Sequence, residues 1–436
     1  MKKIFLVGLV SVLLSLTSCQ GNGVSHDEKG NVVVTMSLMN SPNENPGWLA
    51  AIEAANELLE EDKIRIEPEI IMTDEWDKYY TKIASNMAGG VGGSIGRIAE
   101  SHIPLMIKRN QLQDLTSIYE GLPKDDYILG AFEGVAKNNN KYFAMPTGIQ
   151  HMVLYYNKNI LDAKNVSYPS QDWHNPITLN QLAEKALALS SGSRPSRKFG
   201  LSAGPFLAYG GMYAKSFGSD YIFTNSGQSA LNQQGYYDTY SWFNKIILQD
   251  QSAPKASDTA IVTAMDQFQS GNVAMIIDGA WWLNDMMNPK LVTFPVGIAA
   301  IPTGIQGSSS FSTQFTDGFF AVRNSSTPNE DKKAIKALMS KEAIMALASK
   351  GVGGIPVHKE AIEIFKETLT SNFSEGDVNC FINGLSNGLP LPYTTFYNSV
   401  DQNINQKMSV WLNGDMTSNA FVDFMHLTLS EAIENN

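Results

Sequence analysis

Apolar and polar positions along this chain fall into short blocks whose period changes from two to about 3.6 and back. The run "NVVVTMSLM" (31–39) is β-branched and apolar and predicts a buried strand. A turn-rich loop, "NSPNENPG" (40–47), follows it. From 48 to 62, Leu49, Ile52, Ala55, Leu58 and Leu59 recur near the helical period and predict a helix. "KIRIEPEII" (63–71) returns to strand alternation, so 31–71 reads as a βαβ unit with parallel strands. A second helix is predicted over 75–87, stopped by "GGVGG" (89–93).

Further on, 142–146 and 151–158 read as strands around a turn at Gly148. Residues 176–189 read as a helix opened by a capping box, with Thr178 three residues before Gln181. Helices are predicted over 230–248 and 257–270, the second closed by Gly271. Strands are predicted at 273–277, 297–302 and 318–322, and one long helix over 329–349. "GVGGIPV" (351–357) is a stiff connection, and 358–436 is mainly helical with a break at 387–395. Strands alternating with helices throughout mark an α/β protein. At 436 residues the chain is long enough for two domains.

The N-terminus follows a different pattern. Met1-Lys2-Lys3 is basic, 4–16 is an apolar run too short to span a membrane, and it ends in "LTSC" (16–19). This resembles a bacterial lipobox and implies a signal peptide over 1–18, cleavage before Cys19 and acylation of Cys19, enough for a stable membrane anchor. The competing reading is an ordinary secretory peptide with an incidental cysteine. Residues 19–30 then read as a lipidated, polar and Gly-rich tether. With Cys19 acylated, Cys380, the other of two cysteines, has no disulfide partner. A net charge of −11 argues against a nucleic-acid partner.

No His-Glu-x-x-His helix or Walker loop occurs, and "GGVGGSIG" (89–96) lacks the dinucleotide spacing. The six histidines are scattered and two cysteines make no zinc cage, so neither a metal nor a cofactor is expected. The stretch "GNVAMIIDGAWWL" (271–283) poses the main chemical question, because two tryptophans follow the end of a buried strand.

Several stretches, in order, resemble the bacterial extracellular solute-binding proteins (family 1) of carbohydrate ABC transporters. They are "MVLYYNKNILDAKNV" (152–166), "FQSGNVAMIIDGAWWL" (268–283), "GIAAIPTG" (297–304), "TDGFFAVRNSSTPNEDKKAIKALMS" (316–340) and "GGIPV" (353–357). The chain departs from the family's Gly-x-x-Pro-Asp pattern near 89–116, where Ser94-Ile95-Gly96-Arg97 stands instead, so no contact is carried over from that Asp; Arg97 either replaces it or points to solvent.

The resemblance implies a two-lobed, periplasmic-binding-protein-like α/β fold of type II, with lobes joined by hinge segments. The N-terminal lobe would comprise 31–148 plus 317–351 and the C-terminal lobe 152–314 plus 358–436, with crossings near 147–152, 311–317 and 351–358. It also implies a carbohydrate ligand, an oligosaccharide for preference, held between the lobes. Permease subunits of an ABC importer would be the partners, and the receptor a monomer anchored on the extracytoplasmic face of the cell membrane.

An indole face stacks on the C–H patch of a sugar ring, and carboxylates and amides bond its hydroxyls. Trp281 occupies the family's Gly-x-Trp position. Of Trp281 and Trp282, one is expected to face the cleft and the other to pack, or both to anchor the core. Trp48, Glu44 and Asn43 would begin the opposite wall, or form an ordinary turn and helix staple. Gln150 and His151 lie at the first crossing, where His151 is either a ligand contact or a core histidine. Asp278 bonds a hydroxyl or caps a turn, and Gly353 and Gly354 would let a ligand approach backbone N–H groups. Asp317, Tyr393, Tyr209 and Arg97 complete the candidates, while Trp76, Trp173, Trp242 and Trp411 are assigned to packing or surface. The rival class is a secreted glycoside hydrolase-like lipoprotein, which needs a pair of carboxyl groups about a scissile bond.

Overall fold

The computed structural model describes residues 24–436, apart from residues 74 and 139 and the side chains of 134–138. The signal peptide and Cys19 lie outside the described residues. The strands in chain order are β1 (Val32–Met39), β2 (Ile64–Ile71), β3 (Ile95–Ile98), β4 (Lys137–Asn138), β5 (Lys141–Tyr142) and β6 (Met145–Pro146). They continue with β7 (Gln150–Asn157), β8 (Ser202–Ala203), β9 (Met275–Gly279), β10 (Val296–Ala299), β11 (Ser312–Phe315), β12 (Gly318–Ala321) and β13 (Gly388–Pro390).

Two sheets carry the architecture, in the orders β2-β1-β3-β12-β6 and β13-β11-β7-β9-β8, with β10 beside β7. Their composition follows from the apolar pattern. Val34, Met36 and Leu38 place β1 inside the first sheet, between β3 and β2, and it pairs in parallel with β2 from Val32↔Ile64 to Met39↔Ile71. All eight residues of β7 are buried, which makes it the central strand of the second sheet, antiparallel to β9, β10 and β11. Among the described residues no helix is long and apolar enough to cross a membrane.

The helix after β1 begins at Asn45, three residues before the predicted start, because Pro46 is pre-set for a first helical turn and needs no N–H partner. The capping box at Thr178 and Gln181 forms as its spacing demands. The helix predicted over 329–349 is two, Pro328–Leu338 and Lys341–Ala348. Ser340 turns to extended geometry and its hydroxyl accepts from Ala343 N–H at 3.2 Å, a local bond that competes with helix continuation. Thr263 likewise splits the segment predicted over 257–270 into Ala256–Thr259 and Ala264–Gln269. Within the stretch predicted to be a tether, residues 24–30 fold back on the first strand. His26 pairs with Val32, and Asp27 Oδ1 accepts from Asn31 N–H and Lys29 N–H, both at 2.9 Å.

Three chain segments connect the sheets. β6 runs into β7 and β11 into β12 as an antiparallel pair that belongs to both sheets, with Phe315 opposite Gln150 and Gly318 opposite Pro146. Between them Thr147 N–H donates to the Asp317 carbonyl at 2.9 Å. The third segment pairs Ile355 with Ile149 through reciprocal hydrogen bonds of 2.8 and 2.7 Å. This contact explains Gly353 and Gly354, which lie outside the cavity between the sheets. Gly354 has φ +76°, and a Cβ there would stand 2.5 Å from the Ile149 carbonyl oxygen. Gly354 thus permits close packing of two chain crossings, while a Cβ on Gly353 would stand 2.8 Å from the Leu347 side chain.

His151 is a core residue. It is 0% exposed, its ring lies 4.7 Å from Phe381 and 6.0 Å from Trp173, and among the described residues neither ring nitrogen has a hydrogen bond of good geometry. Burial pulls its pKa down to about 4, with the Phe381 backbone acting weakly the other way. Because the folded value is depressed, the unfolded chain takes up a proton first as pH falls below the ordinary histidine range, and stability is lost between about pH 6.5 and pH 4. At pH 5 this one residue costs about 2 kcal/mol relative to pH 8. His151→Leu is expected to remove that increment, so urea unfolding at pH 5 and pH 8 should show a smaller acid loss in the variant than in the parent by about this amount.

Candidate functional site

A cavity of about 1260 Å³ opens between the two sheets. One wall is built at the carboxyl ends of β1, β2 and β3, by residues 39–44, the start of the helix Trp76–Ala88, and 97–102. The other comes from residues 206–209 after β8, 281–285 after β9, and the helix Tyr397–Leu412 with Tyr393 before it. Gln150, Phe315 and Asp317 of the paired crossings form its floor. Open α/β sheets bind ligands beyond strand carboxyl ends, and both walls obey that rule.

Both Trp281 and Trp282 border the cavity, each half-buried. The 3₁₀ turn Ala280–Trp282 makes this possible directly after β9. Trp281 folds back over Gly279, where a Cβ would stand 2.2 Å from its ring, and meets Phe315 edge-on at 5.2 Å. Among the described residues the buried Trp282 Nε1 has no hydrogen bond of good geometry. Asp278 lies beneath this pair and does not line the cavity; its Oδ1 accepts from Gly279 N–H at 2.7 Å. Burial raises its pKa to about 7, against that N–H and the neighbouring indole N–H groups.

Trp48 also differs from its cleft-wall expectation. It is 1% exposed, packs edge-on against Phe319 at 6.0 Å, and lies outside the cavity lining, because its helix turns it inward onto the first sheet. It still acts on the site through Arg97, whose guanidinium sits 4.5 Å from its ring centre and 5.1 Å from that of Trp76. Trp76 therefore belongs to the cavity, not to the anonymous packing tryptophans. Its position at the start of a helix following a strand was the available signal. Trp173, Trp242 and Trp411 are core residues.

Arg97 does not point to solvent. Its Nε and Nη2 donate to Asp317 Oδ2 at 3.1 and 2.5 Å, and its Nη1 to Glu44 Oε2 at 3.0 Å. Burial disfavours its charge, but Asp317 and Glu44 outweigh that and raise its pKa. Beside it, Glu100 is buried, accepts from Thr316 N–H, and is held well above the carboxylate range by burial and by Asp317. Asp317 is itself raised by burial, with Arg97 opposing.

Asn43 and Asp285 stand on opposite walls and are joined across the gap. Asn43 Nδ2 donates to Asp285 Oδ1 at 2.5 Å, and Asn284 Nδ2 to the Asn43 carbonyl at 3.0 Å. Asn398 Nδ2 makes a second bridge to the Ser101 carbonyl at 3.3 Å. Farther along, Asp77 receives His102 Nε2 at 3.0 Å, and burial holds His102 neutral with a pKa of about 4. Asp401, on the facing helix, is raised to about 6 by burial, with Asn405 opposing and Asp77 adding to the rise. Tyr393 and Tyr209 also line the cavity, and Tyr393 lies edge-on to Tyr397 at 4.8 Å. Glu44, Glu75, Asp77, Glu100, Asp285, Asp317 and Asp401 all border the space, with Arg97 as the one arginine and no lysine among the described residues. The cavity is more acidic than the sequence-based list of candidates implied. Asp285 and Asp401 come from segments that approach the cleft only through the fold.

No curated protein matches the sequence. Among solved structures, the chain is similar to an ABC substrate-binding protein of Listeria monocytogenes in complex with cycloalternan, with a TM-score of 0.79 and 18% identity over 92% of this chain and 99% of that one. It is similar to the GacH receptor of Streptomyces glaucescens, unliganded and with acarbose, with a TM-score of 0.76 and 16% identity over 92% and 98%. It is also similar to maltose-bound MalE3 of T. maritima, with a TM-score of 0.73 and 18% identity over 92% and 99%. These likenesses establish the two-sheet binding-protein fold of type II. Residues 50–384 match the family of bacterial extracellular solute-binding proteins, and the chain belongs to that family.

Proposed function

We propose that this protein is a carbohydrate receptor, most suited to an oligosaccharide, that delivers its solute to the permease of an ABC importer and does not cleave it. The observation that carries this reading is the arrangement of Trp76, Trp281, Trp282, Phe206, Tyr209 and Tyr393 about one long cavity floored by chain crossings. Aromatic faces with amides and carboxyls between them suit a polyol that is flat on one side and hydroxylated at its edge. Trp281 and Trp282 stack on sugar rings, while Asn43, Glu44, Gln150 and Asp317 bond hydroxyls. Structural relatives of the chain hold cycloalternan, acarbose and maltose, which supports the same class of ligand. Binding is favoured over hydrolysis because Glu44 and Asp317 are tied to Arg97 and are poorly placed to exchange protons with a bound glycoside.

The lobes divide at the crossings, into 31–148 with 317–351 and 152–314 with 358–436. A sugar touching both walls stabilises the closed state by its differential affinity. Cys19, with the signal peptide before it, carries the lipid that holds a monomeric receptor at the outer face of the cell membrane.

A thermal-shift screen against mono- and oligosaccharides tests the proposal: a true ligand at about 100 times its Kd adds about 2.7 kcal/mol, and a panel without a shift would remove the carbohydrate assignment. With a ligand in hand, Trp281→Ala is expected to weaken binding by about 1–3 kcal/mol, on the scale of stacking contacts, and to leave the fold intact. Trp48→Ala should instead lower stability by about 3–5 kcal/mol, as read by urea unfolding. Metabolic labelling with palmitate should mark the parent protein and not Cys19→Ser, which should also be released from membranes.

A further inference from the structure

The cavity's carboxyl groups have too little positive charge near them. Arg97 is already shared between Asp317 and Glu44, and His102 is neutral above about pH 4. Glu100 is 5% exposed; it accepts from Thr316 N–H, and the charge of Asp317, of its own sign, acts on it. Asp401 accepts from Asn405 Nδ2 at 2.8 Å and feels Asp77 of the opposite wall, again of its own sign. Tyr393, Tyr397, Glu100 and Asp401 all line the cavity, with Tyr397 and Asp401 one turn apart on the same helix and the two tyrosine rings 4.8 Å apart.

A second observation, independent of charge, marks the same space as built for a polar ligand. Gln150 in the floor is 5% exposed and borders the cavity, and its side-chain amide has no hydrogen bond to another described residue. Its donors and acceptor are free for a ligand or water in the cavity. Nor is an inorganic ion the evident counter-charge: among the described residues no three His, Cys, Asp or Glu side chains are grouped to hold a metal.

We propose that the solute is a cationic carbohydrate, an oligosaccharide bearing a protonated amine, with its ammonium between Glu100 and Asp401 and its hydroxyls reaching Gln150. This rests on the carbohydrate reading above and narrows it. An ammonium carries three donors and no acceptor, which matches a lining of carboxylates. Tyr393 and Tyr397 both line the cavity, and an aromatic ring attracts a cation. Burial and like charge push both carboxyls upward, and a cation between them relieves that penalty as no neutral hydroxyl does. An anionic sugar would add to the repulsion.

Isothermal titration at pH 7 with glucosamine dimers to tetramers, their N-acetylated counterparts, and cello- and malto-oligosaccharides of equal length tests this. The expected result is binding of the amines at least tenfold tighter than of the N-acetylated or neutral sugars, with a preference that shrinks as salt is added. Asp401→Asn and Glu100→Gln, each checked for folding by circular dichroism, should each cut the amine-to-neutral ratio at least fivefold; the pair ensures that one misfolded variant leaves the other as a test. Neutral or N-acetylated sugars binding as tightly as the amines would overturn the cationic assignment and leave the carbohydrate reading in place. An unchanged ratio in a folded variant would overturn the placement of the ammonium. Binding of none of these sugars would count against both readings.

Discussion

The guanidinium of Arg97 ties together the parts of the molecule that must hold their places if a cleft is to exist. It extends from the third strand of the first sheet, bonds Asp317 in one crossing and Glu44 in the loop after the first strand, and lies against Trp48 and Trp76. Removing two carboxylates and a guanidinium from water is costly, and the attraction between them offsets that cost only when the geometry is good and the remaining donors are used. Here three of the guanidinium nitrogens are engaged and aromatic faces shield it. Such a cluster contributes less to net stability than to uniqueness. It fixes where the loop 40–44 stands relative to the crossings, and so fixes one wall against the floor.

The elements most legible in the sequence were those whose signals are local. Parallel pairing of the first two strands, the capping box at Thr178, and the strand ending at the tryptophan pair follow from period, cap chemistry and apolar runs. The two misjudged long helices failed for an equally local reason. Ser340 and Thr263 are as good at starting a helix as at continuing one, and a hydroxyl bond to the third residue onward decides the matter.

The site was only half legible. Glu44, Asn43, Gln150, Asp317, Tyr393 and both tryptophans of 281–282 do border the cavity, since each follows a strand end or lies in a crossing. Trp48 and His151 do not, although each neighbours residues that do. One residue of register or of helical turn separates a wall from its backing. Asp401 and Tyr397 carried no local signal, because they sit in the first turns of a helix near the end of the chain and reach the cleft only when that helix packs back across it. The acidity of the cavity is likewise a property of the assembled walls. No single stretch of the sequence is rich in the carboxylates that meet there.

The two sides of the mouth, Asn43 with Asn284 and Asp285, and Ser101 with Asn398, are clasped by hydrogen bonds that run from protein to protein. Any movement of one wall away from the other has to break both clasps, so the width of the cleft is set by bonds the protein makes with itself.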